Sequence, residues 1–135
     1  MEKVSLKTIL ESEKEIEKVS ELDLTHLPIK TFYWLGKLSK LIKNECSEYK
    51  ELETKLIREL GVEIKDEDGN VKMISVDVAS DENKKLFFEK THELKQEEIE
   101  LEFTKLKLED FKVGDKLVTG LTPKMIGVLD WLITE

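Results

Sequence analysis

PIKTFYWLGKLSKLIKNECSEYKELETKLIRELG, from Pro28 to Gly61, is the stretch on which the reading of the whole chain turns. Proline suits the first turn of a helix, where its missing N–H costs nothing, and after it only Gly36 interrupts helix-compatible residues before Gly61. The stretch predicts one helix over about 28–60, on the order of 50 Å long at about 1.5 Å per residue. Leu35, Ile42, Tyr49 and Leu56 recur at heptad spacing, and Leu38 and Leu52 share a second heptad position whose middle member is Glu45. This reads as a coiled-coil seam with one polar interruption. Gly61 stands where a C′ glycine would end the helix.

Downstream, VEIKDEDGNVKMISV alternates apolar and polar residues on both sides of Asp68-Gly69-Asn70, which predicts a β-hairpin over about 61–76. Ser80 before Asp81 and Glu82 is an N-cap followed by acids suited to the positive end of a helix, and Phe87, Leu94 and Leu86 supply an apolar stripe over about 80–98. From Ile99 the pattern alternates as a strand through Leu101 and Phe103. The apolar parity then slips at Thr104 and Lys105, as at a bulge or bend, before Leu108 and Phe111. Turns fall at Gly114-Asp115 and Gly120, and Thr122-Pro123 opens a last short helix carrying Met125, Ile126, Leu129 and Leu132. Upstream, Val4, Leu6 and Thr8 alternate as a short strand; Ser12 with Glu15 has capping-box spacing for a helix carrying Ile16 and Val19.

The expected fold is thus α+β: a long antiparallel helical hairpin, about 28–60 and 80–98, joined by a β-hairpin, with an N-terminal strand and helix and a C-terminal strand plus short helix. A chain of 135 residues has the length of a single domain, 1–135. Charged residues make up 39%, an excess that suits long helices with solvated outer faces. The formal net charge of −8 and pI near 5.0 argue against duplex nucleic acid, whose phosphates are held chiefly by lysine and arginine. Arg58 is the only arginine, so bidentate phosphate clamps are nearly absent. No apolar window suits a signal peptide or a membrane span, and the chain reads as soluble and cytosolic. Cys46 is alone and the only histidines are His26 and His92, which leaves no intrachain disulfide and no sequence-local metal set.

Two helices of unequal length leaving one hairpin pose a question of cover. The half of the long helix nearer Gly61 has a neighbour. The other half must bury its apolar side against the N-terminal strand and helix, the C-terminal segment, or another subunit. That half is unusual in charge, with four lysines and no acid between Asp23 and Glu45. Projected at 100° per residue, Thr31, Trp34, Leu35, Leu38 and Ile42 share one broad side, while Lys30, Tyr33, Lys37, Lys40 and Asn44 share another, with Trp34 bordering Lys30. One reading makes Phe32, Trp34 and the leucines core, with lysines snorkelling around the rim. The other makes Lys30, Tyr33, Trp34, Lys37 and Lys40 a patch for a small anion or nucleotide, lysines neutralising phosphate and rings stacking a base.

No catalytic set emerges. His92 lies on a charged helix, His26 belongs to a turn, Cys46 borders the seam, and the carboxylates of KQEEIELE follow from a solvated helix and strand. Gly-rich phosphate loops, serine elbows and zinc spacings are missing from the sequence, which implies no enzyme, no cofactor and no metal.

With these elements placed, LPIKTFYWLGKLSKLI entering a long charged helix, the DEDGNV turn, DENKKLFFEKTHEL, and LKLEDF with GLTPKMIGVLDWLI resemble a poorly characterised family of small proteins encoded by phages and prophages of Gram-positive bacteria. The resemblance covers most of the chain and least of its first 25 residues, and brings no functional residues with it. It implies a phage origin and a non-enzymatic role, and with the cytosolic reading above the expected location is the host bacterial cytoplasm. The helix, β-hairpin, helix outline is also similar to a prefoldin subunit, and a two-stranded hairpin gains stability by pairing its edges. The expectation is a homo-oligomeric binding protein for counter-defence or host takeover, sequestering a host protein or a small nucleotide signal. The alternative is a virion structural or assembly protein, such as a tail adaptor or chaperone.

Overall fold

The computed structural model describes residues 2–134. Along the chain run β1 (Glu2–Ser5), α1 (Leu6–Ser20), α2 (Ile29–Leu60), β2 (Val62–Lys65), β3 (Val71–Ser75), α3 (Asp81–Lys95), β4 (Glu98–Leu101), β5 (Leu106–Lys107), a 3₁₀ turn (Leu108–Phe111), β6 (Lys112–Val113), β7 (Lys116–Leu117), α4 (Pro123–Val128), a second 3₁₀ turn (Asp130–Leu132) and β8 (Ile133–Thr134). The α+β architecture read from the sequence is the observed one. These elements group into two compact units, one of residues up to Cys46 with those from Glu98 onward, the other of Ser47–Glu97. α2 is one unbroken helix of 32 residues that gives its first half to the former and its second half to the latter. Gly36 does not break it.

The first unit is built around a continuous apolar core. Ile9, Ile16 and Val19 of α1, Leu35, Leu38, Ile42 and Cys46 of α2, Leu101 and Leu106 of the strands, and Met125, Leu129 and Leu132 near α4 are buried together. β1 pairs antiparallel with β4, Glu2 opposite Leu101 and Ser5 opposite Glu98. β5 pairs in parallel with β8, Leu106 opposite Ile133, and β6 with β7 in a short hairpin. The break expected at Thr104 and Lys105 is present: no strand runs through residues 102–105.

Two expectations are corrected here. α1 begins at Leu6, not after Ser12: its N-cap is Ser5, whose Oγ accepts from Thr8 N at 3.2 Å. Ser12 is fully buried inside the helix, its Oγ donating to the Thr8 carbonyl at 2.8 Å and accepting from Trp131 Nε1 at 2.9 Å. Glu15, its supposed capping partner, is buried between Lys18 Nζ at 3.5 Å and Lys124 Nζ at 3.8 Å. The α1 periodicity of Leu6, Ile9, Ser12, Ile16 and Val19 outweighs the local cap signal because it points one whole face at the core. Secondly, the seam on α2 runs through Thr31, Leu35, Leu38, Ile42, Cys46 and Tyr49, so the buried thiol and not Glu45 continues it. From Thr31 the spacings are 4, 3, 4, 4 and 3, a mean of 3.6 that follows a straight helix, with two successive fours where a strict heptad would alternate.

In the second unit the end of α2, the β2–β3 hairpin and α3 follow one another. The hairpin pairs Val62 with Ser75 and Lys65 with Val71, with a register shift between Ile64 and Lys65. Asp66 closes its turn: the carboxylate accepts from Asp68 N at 2.9 Å and Asn70 N at 3.0 Å, and Gly69 takes the positive φ of 82°. α3 is capped by Ser80, whose Oγ accepts from Asn83 N. It runs antiparallel to α2, since Asn83 Nδ2 donates to the Leu60 carbonyl at 3.2 Å near one end and Lys95 Nζ lies 5.7 Å from the Tyr49 ring centre near the other. Gly61 ends α2 for a reason other than a left-handed backbone: a Cβ there would come within 2.5 Å of the Ile57 carbonyl oxygen and 3.0 Å of that of Ser75. The last turn of α2 and the adjoining β3 together leave no room for a side chain.

Candidate functional site

At the start of α2, the arrangement read from the helical projection is present, with modifications. Thr31, Leu35, Leu38 and Ile42 are buried, and Trp34 is half-buried against the core. Phe32 is not core, contrary to one reading of the sequence. It is exposed together with Tyr33 and Ile29, the last 82% exposed. Of the five singled-out residues, Tyr33, Trp34 and Lys37 are brought together: the rings stand edge to face at 5.2 Å, and Lys37 Nζ lies 4.8 Å from the Tyr33 centroid and 5.5 Å from that of Trp34. Such cation–π contacts at an exposed site contribute roughly 0.5–1 kcal/mol. Lys30 turns instead to Asp110 Oδ1 at 3.3 Å, where the Thr31 hydroxyl also donates to the Asp110 carbonyl at 3.2 Å. Lys40 is exposed. The lysines are therefore spread over an outward helix surface, one ion-paired and one laid on rings, instead of converging on a shared point.

The cover question has an answer within the chain. α1 and the segment after Glu98 bury the apolar side of this half of α2, with Cys46 Sγ reaching the Ile9 carbonyl at 3.8 Å and Phe103 stacked edge-on against Trp131 at 5.6 Å. The length mismatch between the two long helices consequently does not by itself require a second subunit.

The surface that sequence reading missed lies in the second unit. Leu52, Val62, Val71, Met73, Val78, Leu86 and Phe88 are all exposed there, Phe88 at 63%, whereas the buried apolar residues described in this unit are Tyr49, Val76 and Ala79. Two concavities lie along adjacent stripes of α3. A groove of about 330 Å³ is lined by Leu52, Leu56 and Leu94 together with the charged Lys55, Glu59, Lys90, Glu93 and Glu97. A cleft of about 450 Å³ is walled by Ile57 of α2, Met73 and Ile74 of β3, and Phe87 and Phe88 of α3, whose rings meet edge to face at 5.7 Å. Glu53, Asp77 and Lys95 also line it.

Tyr49 sits at the cleft with its hydroxyl buried; Glu53 stands beside it but outside hydrogen-bonding geometry. Burial first, and then the Glu53 carboxylate, push that hydroxyl well above the usual phenol range, so it stays neutral. The sequence held a trace of this surface, in Phe87-Phe88 side by side and in Met73-Ile74 adjacent on an otherwise alternating strand. Its walls come from three separate elements, which no local motif can report.

His92 and His26 are exposed and Cys46 is buried. Among the described residues, no three of His, Cys, Asp and Glu gather where they could hold a metal ion, and no helix is long and apolar enough to cross a membrane. In comparisons with protein-family models, with curated proteins and with solved structures, nothing matches this chain.

Proposed function

We propose that this chain is a phage- or prophage-encoded binding protein, not an enzyme, that acts by occupying a protein of its bacterial host. The observation that carries the reading is the apolar surface of Ser47–Glu97, where exposed large side chains outnumber buried ones among the described residues. Monomeric proteins seldom leave such surface open without a partner for it, and interface hot spots are built from aromatic and aliphatic anchors of this kind. The phage origin rests on the resemblance of the long helix, the DEDGNV turn and the closing segment.

Of the two kinds of partner considered, a host protein is better supported than a small nucleotide. Lys30 is engaged with Asp110 and Lys37 with two rings, so the patch at the start of α2 offers a nucleotide no enclosed, convergent set of donors. Copurification from a Gram-positive host, comparing wild type with Leu52→Glu, tests the reading. A host chain held stoichiometrically by wild type and lost from the variant is the expected result; no stoichiometric host chain refutes it. A thermal-shift screen with nucleotides checks the other partner class, and no ligand-dependent rise in melting temperature is expected for wild type or Lys37→Glu. Recovery of the chain from purified virions would instead favour a tail adaptor or chaperone.

A further inference from the structure

We propose that the cleft beside Tyr49 takes the aromatic, lysine-bearing start of α2 from a second copy of the chain, giving a head-to-tail contact. The inference deepens the binding-protein reading, because it relies on Ser47–Glu97 being a docking surface. Three observations carry it.

The first is that both halves of the contact are exposed and apolar. On one side stand Ile29, Phe32 and Tyr33, all exposed within the first turns of α2. On the other are Met73 at 50% and Phe88 at 63% exposure, at the mouth of a cleft whose volume, about 450 Å³, is within the range that accepts large side chains.

The second is charge. Ser47–Glu97 carries fourteen acidic and nine basic residues, a net of −5, and Glu53 and Asp77 line the cleft itself. Lys95, the basic residue of that lining, rests near the Tyr49 ring. Pro28–Asn44 carries Lys30, Lys37, Lys40 and Lys43 and no acid; Lys30 is paired with Asp110, so the positive charge of this end rests on Lys37, Lys40 and Lys43. Apposing complementary potentials favours encounter and fixes orientation, whereas apposing two acidic clefts across a two-fold axis sets like charge against like.

The third is geometry. Tyr33 and Lys37 are one turn apart on a rigid helix, and their ring and ammonium are already in contact. An aromatic anchor flanked by a cation is thus held in place before binding, and little side-chain freedom is lost on docking. A contact between two different patches of one chain is heterologous, so assembly proceeds to a ring or an open chain according to whether the rotation closes.

A heterologous contact makes a prediction that an isologous one does not. Lys37→Glu with Lys40→Glu destroys the patch and leaves the cleft; Phe88→Glu destroys the cleft and leaves the patch. All three positions are exposed, and circular dichroism verifies that both variants keep their helices. By native mass spectrometry and light scattering, wild type is expected to form oligomers that dissociate as salt rises, and each variant alone to be monomeric. Mixed in equal amounts, the two variants are expected to form a 1:1 dimer and nothing larger, since one working patch and one working cleft remain between them. If Phe88→Glu loses helical signal, Met73→Glu on the exposed strand takes its place. A monomeric wild type at about 100 µM, an oligomer indifferent to either variant, or a mixture that stays monomeric overturns the proposal. A monomer that still captures a host protein would sink self-association alone. An oligomer that captures none would sink the host-protein reading and leave this contact standing.

Discussion

The two halves of this molecule use similar ingredients to opposite ends. Up to Cys46 and after Glu98, helices and short strands enclose sixteen buried apolar residues in one cluster, and even the polar members found inside are partnered: Ser12 by Thr8 and Trp131, Glu15 by Lys18 and Lys124, Thr31 by Asp110. In Ser47–Glu97, helices and a hairpin of comparable regularity leave Leu52, Met73, Leu86 and Phe88 outside. Regular secondary structure is therefore a poor guide to where stability resides. One half is organised to hold itself together, the other to present a surface.

The sharpest test of that contrast is a pair of leucines on the same helix. Leu38→Ala, at a fully buried site, is expected to cost about 2–5 kcal/mol in urea unfolding, whereas Leu52→Ala is expected to cost less than about 0.5 kcal/mol. Equal losses would mean that Leu52 is covered in solution and that the two halves are packed alike. Next in size is Gly61→Ala, where the new methyl group has carbonyl oxygens at 2.5 and 3.0 Å and the Ile74 methyl at 2.9 Å; a loss of about 1–3 kcal/mol is expected by thermal or urea denaturation. A neutral result would show that the β2–β3 hairpin can move away from the helix end.

A smaller effect is confined to alkaline solution. The Tyr49 hydroxyl binds its proton more tightly folded than unfolded, so its contribution is intact below the unfolded value of about 10 and is lost as pH rises above it. Melting temperature should fall more steeply above about pH 10 in wild type than in Tyr49→Phe, and coincident profiles would remove the claim that this hydroxyl is buried. Smallest is Gly36→Ala. Gly36 lies mid-helix with nothing within 4 Å of an added Cβ, and the alanine variant should be more stable by about 0.5–1 kcal/mol.

Much of the fold was legible because its signals are local. Pro28 and Gly61 bracket α2, Asp66 to Asn70 hold the hairpin turn, and Ser80 and Thr122 cap α3 and α4 as their spacing predicts. What escaped is non-local. Nothing near Ser12 announces that its hydroxyl will meet Trp131, 119 residues away, so the residue resembles a cap when read with its neighbours alone. The pairing of β1 with β4 is similarly invisible to periodicity. At the candidate site, sequence identified the aromatic and lysine residues on one helix but not that Asp110 would engage Lys30, nor that Ile57, Met73 and Phe88 would wall a common cleft.

The β1–β4 ladder carries a consequence for synthesis on the ribosome. Ser5 finds its partner only when Glu98 has been made, and at about 5–20 residues per second that wait is on the order of 5–20 s. By its end, Ile9, Ile16, Leu35 and Ile42 have all been made but still lack the covering segment that follows Glu98, while α2, the β2–β3 hairpin and α3 are complete. The better-packed half is thus the later one to close, and nascent chains stalled before Leu101 should be the form most readily engaged by chaperones or cut by proteases.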